Sequence, residues 1–126
     1  MPAYDHFQLS YHDRLAALPP GHVQRLTDFV MSAIFATPGK CDHQLVPIVL
    51  EQYLAQGFAI LPSNALATRF DSCRSTICAA RRRLVKAGFI REIGMNDQRQ
   101  YMYAPCLERA DEYRASIDLE GARHAA

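Results

Sequence analysis

Residues 61–88 read Leu61-Pro62-Ser63-Asn64-Ala65-Leu66-Ala67-Thr68-Arg69-Phe70-Asp71-Ser72-Cys73-Arg74-Ser75-Thr76-Ile77-Cys78-Ala79-Ala80-Arg81-Arg82-Arg83-Leu84-Val85-Lys86-Ala87-Gly88. Two helical patterns lie in this stretch, with three residues between them. Leu66, Ala67 and Phe70 recur at i, i+1 and i+4, which predicts a short helix over Asn64–Phe70, with Ser63 placed to accept from its first-turn amides. Asp71, Ser72 and Cys73 make a tight turn. Arg74–Ala87 then reads as a longer helix that Gly88 ends. Stepping round that helix from Arg74 puts Ile77, Ala80 and Leu84 between about 240° and 300°, a single buried stripe. The opposite side carries Ser75, Cys78, Ala79, Arg82 and Lys86, with Arg74 and Arg83 on its flanks.

Downstream, Phe89–Ile93 predicts a strand, Gly94–Asp97 a turn, and Gln98–Tyr103 a returning strand with Arg99, Tyr101 and Tyr103 on one face and Met102 on the other. Pro105 is expected to open a last helix whose Leu107, Ala110, Tyr113 and Ile117 form a narrow apolar stripe among acids. Upstream, Val23, Leu26, Phe29, Val30, Ala33 and Ile34 predict a helix over residues 22 to 36, stopped by Thr37, Pro38 and Gly39. Pro47 suits the first turn of a second helix that runs to Gln56 and stops at Gly57. Residues 4 to 18 are expected to form a short helix, stopped by Pro19, Pro20 and Gly21. The expected class is mainly α with a small β-hairpin. At 126 residues this is one domain: an N-terminal extension over 1–21, a core over 22–104, and a C-terminal helix and tail over 105–126.

The net charge of +1 hides a segregation along the chain. Residues 1–68 carry −2, residues 69–91 carry +6, and residues 92–126 carry −3. A polyanion needs only a local positive field, and the middle segment supplies one, from Arg69 to Arg91. With 49% apolar residues the chain has the composition of a folded globule rather than a disordered one.

The order of short helix, tight turn, basic helix and two-stranded ribbon is that of a winged helix-turn-helix. Leu61-Pro62-Ser63, Leu66-Ala67, Phe70, Cys73-Arg74-Ser75-Thr76-Ile77, Ala80, Arg82-Arg83-Leu84 and Gly88-Phe89-Ile90 resemble the DNA-binding domain of GntR-type bacterial regulators. Asp97-Gln98-Arg99 before Tyr101 and Tyr103 is more similar to the wing of MarR-type regulators. The likeness covers residues 61–103, and it implies DNA contacts from Arg74, Ser75 and Thr76. Small residues in the first half of the helix let it approach base edges, and long cations further along reach phosphates. The expected DNA-binding set is therefore Arg69, Arg74, Ser75, Thr76, Cys78, Ala79, Arg82, Arg83, Lys86, Arg91 and Arg99. Three positions depart from the GntR-like pattern: Cys73 replaces a capping Ser or Thr, the interval from Leu-Pro-Ser to Leu-Ala is one residue shorter, and Arg81 stands at a normally apolar place.

These features predict a sequence-specific double-stranded DNA-binding protein, a small homodimeric transcriptional repressor of bacterial, plasmid or phage origin. Alternatives are a replication or partition factor, or a winged helix that binds protein. No cofactor, metal or enzymatic role is expected. Cys41, Cys73, Cys78 and Cys106 form no Cys-x-x-Cys pair, and the histidines fit no catalytic spacing. Cys41 with His43 and His22 is a weaker metal suggestion. The four cysteines are expected to be structural or free thiols, and the sharper alternative is a thiol sensor at Cys73, which sits at a helix start beside Arg74. No apolar run has the length of a membrane span, and Asp5, His6 and Asp13 interrupt any signal-peptide core, so the chain is expected to be cytoplasmic.

Overall fold

Pro19 and Pro20 begin the first described helix, because a proline at the first helical position gives up an amide that would lack a partner there. In the computed structural model, which describes residues 18–125, this helix is α1, Pro20–Ala36. The short helix expected over residues 4 to 18 lies, apart from Leu18, outside the described residues. At the other end Thr37 stops α1 by sending both its amide and its hydroxyl to the Ala33 carbonyl, at 3.0 and 2.7 Å.

The second helix, α2, runs Lys40–Gln56 and so begins two turns before Pro47, where the sequence reading had placed its start. Asp42 supplies the reason. Its carboxylate accepts the Gly39 amide at 3.2 Å, which caps the first turn. It also accepts Nε and Nη2 of Arg83 at 2.8 and 2.7 Å. Pro47 then sits on the exposed side of an already nucleated helix whose Leu45, Val46, Ile48, Val49 and Leu50 are buried. The lost backbone bond is offset by that burial. A Cβ at Gly39 would lie 2.9 Å from Nη2 of Arg83 and 3.1 Å from the Asp42 carboxylate, so a larger residue there would have to shift this bridge.

A two-residue strand, β1 (Ala59–Ile60), follows. Helices α3 (Ser63–Arg69) and α4 (Arg74–Lys86) come next, then β2 (Ile90–Met95), β3 (Tyr101–Pro105) and α5 (Glu108–Ala125). The described residues are thus mainly helical, with one antiparallel three-stranded sheet in the order β1-β3-β2. Pro105 closes β3 instead of opening the last helix, and it pairs with Ile90 across the ladder. No alternating pattern marks β1. Its Ile60 exchanges hydrogen bonds with the Gln52 side chain, which donates to the Ile60 carbonyl and accepts the Ile60 amide, each at 2.9 Å. An amide side chain thereby stands in for a neighbouring strand along the edge.

The core gathers Phe29 and Leu26 from α1, the apolar face of α2, Leu66 and Ala67 from α3, and Ile77, Ala80 and Leu84 from α4. Phe29 meets Phe89 edge to face, with centroids 6.0 Å apart. On the far side α5 returns along α1. Arg25 gives two hydrogen bonds to Asp111 (3.0 and 2.8 Å), Arg114 gives two to Asp28 (3.0 and 2.6 Å), and Phe35 stacks on Tyr113. The apolar stripe of α5 therefore finds part of its cover within the same chain: Ala110 is buried, and Leu107, Tyr113 and Ile117 are half-buried. No helix among the described residues is long and apolar enough to cross a membrane.

Candidate nucleic-acid interface

The turn between α3 and α4 is built from the backbone. The Ser72 amide donates to the Ala67 carbonyl at 2.8 Å and the Asp71 amide to Thr68 at 3.3 Å, the paired bonds of a Schellman ending. Asp71 takes the left-handed position with φ of 50° that glycine more often fills. A short polar side chain tolerates that conformation. Ser63 does not cap α3. It is already the first helical residue, and its Oγ lies 3.2 Å from Cys78 Sγ, tying the start of α3 to α4.

Helix α4 rotates as its sequence predicts. Ile77, Ala80 and Leu84 are fully buried, and Ser75, Arg82 and Lys86 are exposed on the opposite side. A second Schellman ending closes it: the Phe89 amide donates to Leu84 and the Gly88 amide to Val85, with Gly88 at φ +80°. Arg109 braces that end by donating to the Ala87 carbonyl and lying 5.4 Å over the Phe89 ring.

The expected DNA-binding residues fall into three groups. Arg74, Ser75, Arg82, Lys86, Arg91 and Arg99 are exposed, as is Arg69, whose guanidinium lies 5.9 Å over the Phe70 ring. Thr76, Cys78 and Ala79 are half-buried, and Cys78 turns inward to Ser63. Arg83 differs most from its expected role. It is held by Asp42, whose side chain is wholly buried, so its charge is already neutralised and it locks α4 onto α2. None of Arg69, Arg74, Arg81, Arg82, Lys86, Arg91 and Arg99 has a carboxylate partner among the described residues.

The hairpin lies against the other flank of α4. Its tip is folded by Asn96, whose Oδ1 accepts the amides of Gln98 (3.0 Å) and Gln100 (2.9 Å). Arg99, expected on the returning strand, instead occupies this turn with φ of 61°. A register shift between Glu92 and Gly94 leaves Ile93 out of the pairing. Tyr103 is buried, and Tyr101 is exposed opposite Met95. Between α4 and the hairpin is a cavity of about 280 Å³ lined by Ser63, Arg74, Arg81, Arg99, Tyr101 and Tyr103, with Ile60, Leu61, Pro62 and Gln100. Arg81 was not among the expected contacts, because helical spacing puts it beside the buried stripe. The signal available was its charge at a position that should have been apolar.

No family model, curated protein or solved structure matches the chain. The functional reading therefore rests on the residues and their geometry.

Cys73 precedes α4 and is exposed. Its Sγ lies 3.2 Å from Ser75 Oγ and 3.0 Å from Thr76 Oγ1. Hydrogen bonds from these hydroxyls, Ser75 first, lower its pKa to about 7. Backbone amides of Thr76 and Ser75 at the helix start add to the hydroxyl bonds, in line with the helix-terminus effect expected from sequence, whereas the expected Arg74 charge is not among the causes. Cys41 is buried, with its thiol toward Ser72, while His43 Nε2 donates to the Thr37 carbonyl at 2.7 Å. The described residues contain no cluster of His, Cys, Asp or Glu arranged to hold a metal ion.

Proposed function

We propose that this chain is a sequence-specific double-stranded DNA-binding protein of the winged helix-turn-helix kind, acting as a small homodimeric repressor. In this reading α3, its turn and α4 form the helix-turn-helix, α4 enters the major groove, and β2–β3 is the wing. One observation carries it: α4 seals its inner face with Ile77, Ala80 and Leu84 and leaves Ser75, Arg82 and Lys86 outward, the two cations without a carboxylate partner among the described residues. Such a rod meets a duplex with a short polar residue near base edges and cations at phosphate distance on either side. The homodimer would take its seam on α1 and α5, which pack together and leave Phe35 and Leu119 72% and 58% exposed.

Fluorescence anisotropy with random and then selected duplexes tests the proposal. With roughly 6 to 10 phosphates contacted per dimer, affinity should fall about 10³- to 10⁵-fold between 50 and 200 mM salt. Replacing Arg82 and Lys86 together by Ala should weaken binding to every sequence, whereas Ser75→Ala should change preference among sequences. A flat salt titration, or full affinity in the double variant, overturns the placement of α4. Sedimentation of the wild type as a monomer at every working concentration overturns the dimer.

A further inference from the structure

We infer that the cavity between α4 and the hairpin is a seat for a single phosphate group, held by Arg74, Arg81 and Arg99. This rests on the DNA-binding reading only for the source of that phosphate.

Three guanidinium-bearing residues from two separate elements line this one cavity of about 280 Å³. Arg74 and Arg81 are seven residues apart, two turns of α4, and so project from the same side of the helix. Arg99 joins them from the hairpin turn, where its left-handed backbone and the Asn96 bonds fix the loop. Behind them Tyr103 is buried, and Arg81 is half-buried with its charge acting on the Tyr103 phenol. No carboxylate pairs with any of the three among the described residues.

Like charges that share one cavity without a carboxylate raise the local positive potential, which an anion entering from outside would offset. Planar guanidinium forks match the oxygens of a phosphate and give it several charge-assisted hydrogen bonds at once. Tyr101, which also lines the cavity, can add a neutral phenolic donor, while the Ser63 hydroxyl is engaged with Cys78 Sγ at 3.2 Å. A phosphodiester of the duplex backbone, passing between α4 and the wing, and a phosphomonoester on a small ligand share this chemistry.

The test compares Arg81→Gln and Arg99→Asn with Arg123→Gln, which removes the same charge from the exposed end of α5. Asn suits the left-handed position of Arg99, so that variant remains informative if Arg81→Gln folds poorly. In the first arm the protein is titrated with inorganic phosphate against potassium chloride at equal ionic strength, followed by its melting temperature and by arginine side-chain NMR signals. Phosphate should bind at millimolar concentration. The two cavity variants should weaken it about fivefold or more, and Arg123→Gln by less than about twofold. In the second arm the slope of duplex affinity against salt should fall by about 1 per lost phosphate contact in Arg81→Gln and stay unchanged in Arg123→Gln.

A response in both arms, or in the duplex arm alone, supports the seat and assigns it to the DNA backbone. A response to phosphate alone supports the seat and assigns it to a small phosphorylated ligand. If the wild type then binds no duplex, the DNA reading falls and the seat stands. If neither arm separates the cavity variants from Arg123→Gln, the seat is overturned, whatever the duplex affinity of the wild type.

Discussion

Between α1 and α5, Arg25 and Arg114 each give two hydrogen bonds to one carboxylate, Asp111 and Asp28. Around α4 and the hairpin, Arg74, Arg81, Arg82, Lys86, Arg91 and Arg99 have no such partner among the described residues, and only Arg83 is neutralised, by Asp42. Both regions are rich in arginine, yet one uses it to join helices and the other leaves it facing outward. A net charge of +1 conceals this. What predicts an anionic partner is the number of cations without a counter-charge in one place, not the total.

The comparison depends first on α4 being anchored. Leu84→Ala should destabilise the protein by about 2–5 kcal/mol, because a fully buried leucine leaves a cavity as well as losing its transfer energy. Urea unfolding measures this, and a loss below about 1 kcal/mol would mean that α4 is not seated on the core. Asp42→Ala should follow at about 2 kcal/mol, losing the Gly39 cap and the Arg83 bridge together, discounted because Arg83 is partly exposed and can be rehydrated. That variant should also free Arg83, so duplex affinity measured under folded conditions should not fall.

The paired half should reveal itself in acid. Hydrogen bonds from Arg114, and then from Gln24, hold the Asp28 carboxyl below the usual carboxylate range. A lowered folded value means that its contribution is present above the unfolded pKa, about 3.9, and is lost as pH falls through the folded value. Asp28→Asn should therefore be less stable at neutral pH and should flatten the decline below about pH 4. An unchanged acid limb would remove Asp28 from the account.

The thiols give a milder contrast between the same regions. Cys73, at the head of α4, should react with iodoacetamide with a half-maximal rate near pH 7, since its pKa is lowered to about 7. Cys106, before α5, is pushed up by burial and should react only at higher pH, measured by mass spectrometry of each peptide. Ser75→Ala should move the Cys73 profile upward. The smallest effect concerns Arg82, which stands one helical turn from Lys86 on the exposed face. Arg82→Gln relieves an i,i+4 repulsion and should leave stability unchanged or raise it by about 0.2–0.5 kcal/mol. Arg25→Gln should lower it by up to about 1 kcal/mol. Thermal melts in which both variants lose stability equally would erase the distinction between the halves.

Much of the architecture could be read without coordinates. The buried stripe of α4 needs only side-chain identity and helical period, and Gly57 and Gly88 mark stops that the backbone then takes with φ of +85° and +80°. The start of α2 could be read that way only in part. Its local part, Gly39 followed by Asp42 as a capping pair, is a signal the chain does carry, but Asp42 is also held by Arg83, 41 residues further on, and no local rule couples those two. β1 was hidden because two residues carry no period and the Gln52 side chain satisfies its edge. Arg99 was placed on a strand because the left-handed turn that holds it is organised by the Asn96 side chain rather than by a glycine.

The amino-acid order alone determined which face of α4 is greasy and which is cationic, because both follow from a fixed rotation per residue. Which of those cations are spent within the protein and which remain for an outside anion was decided only in three dimensions. Pairing depends on distance to carboxylates far along the chain, and that distance is set by how the helices pack.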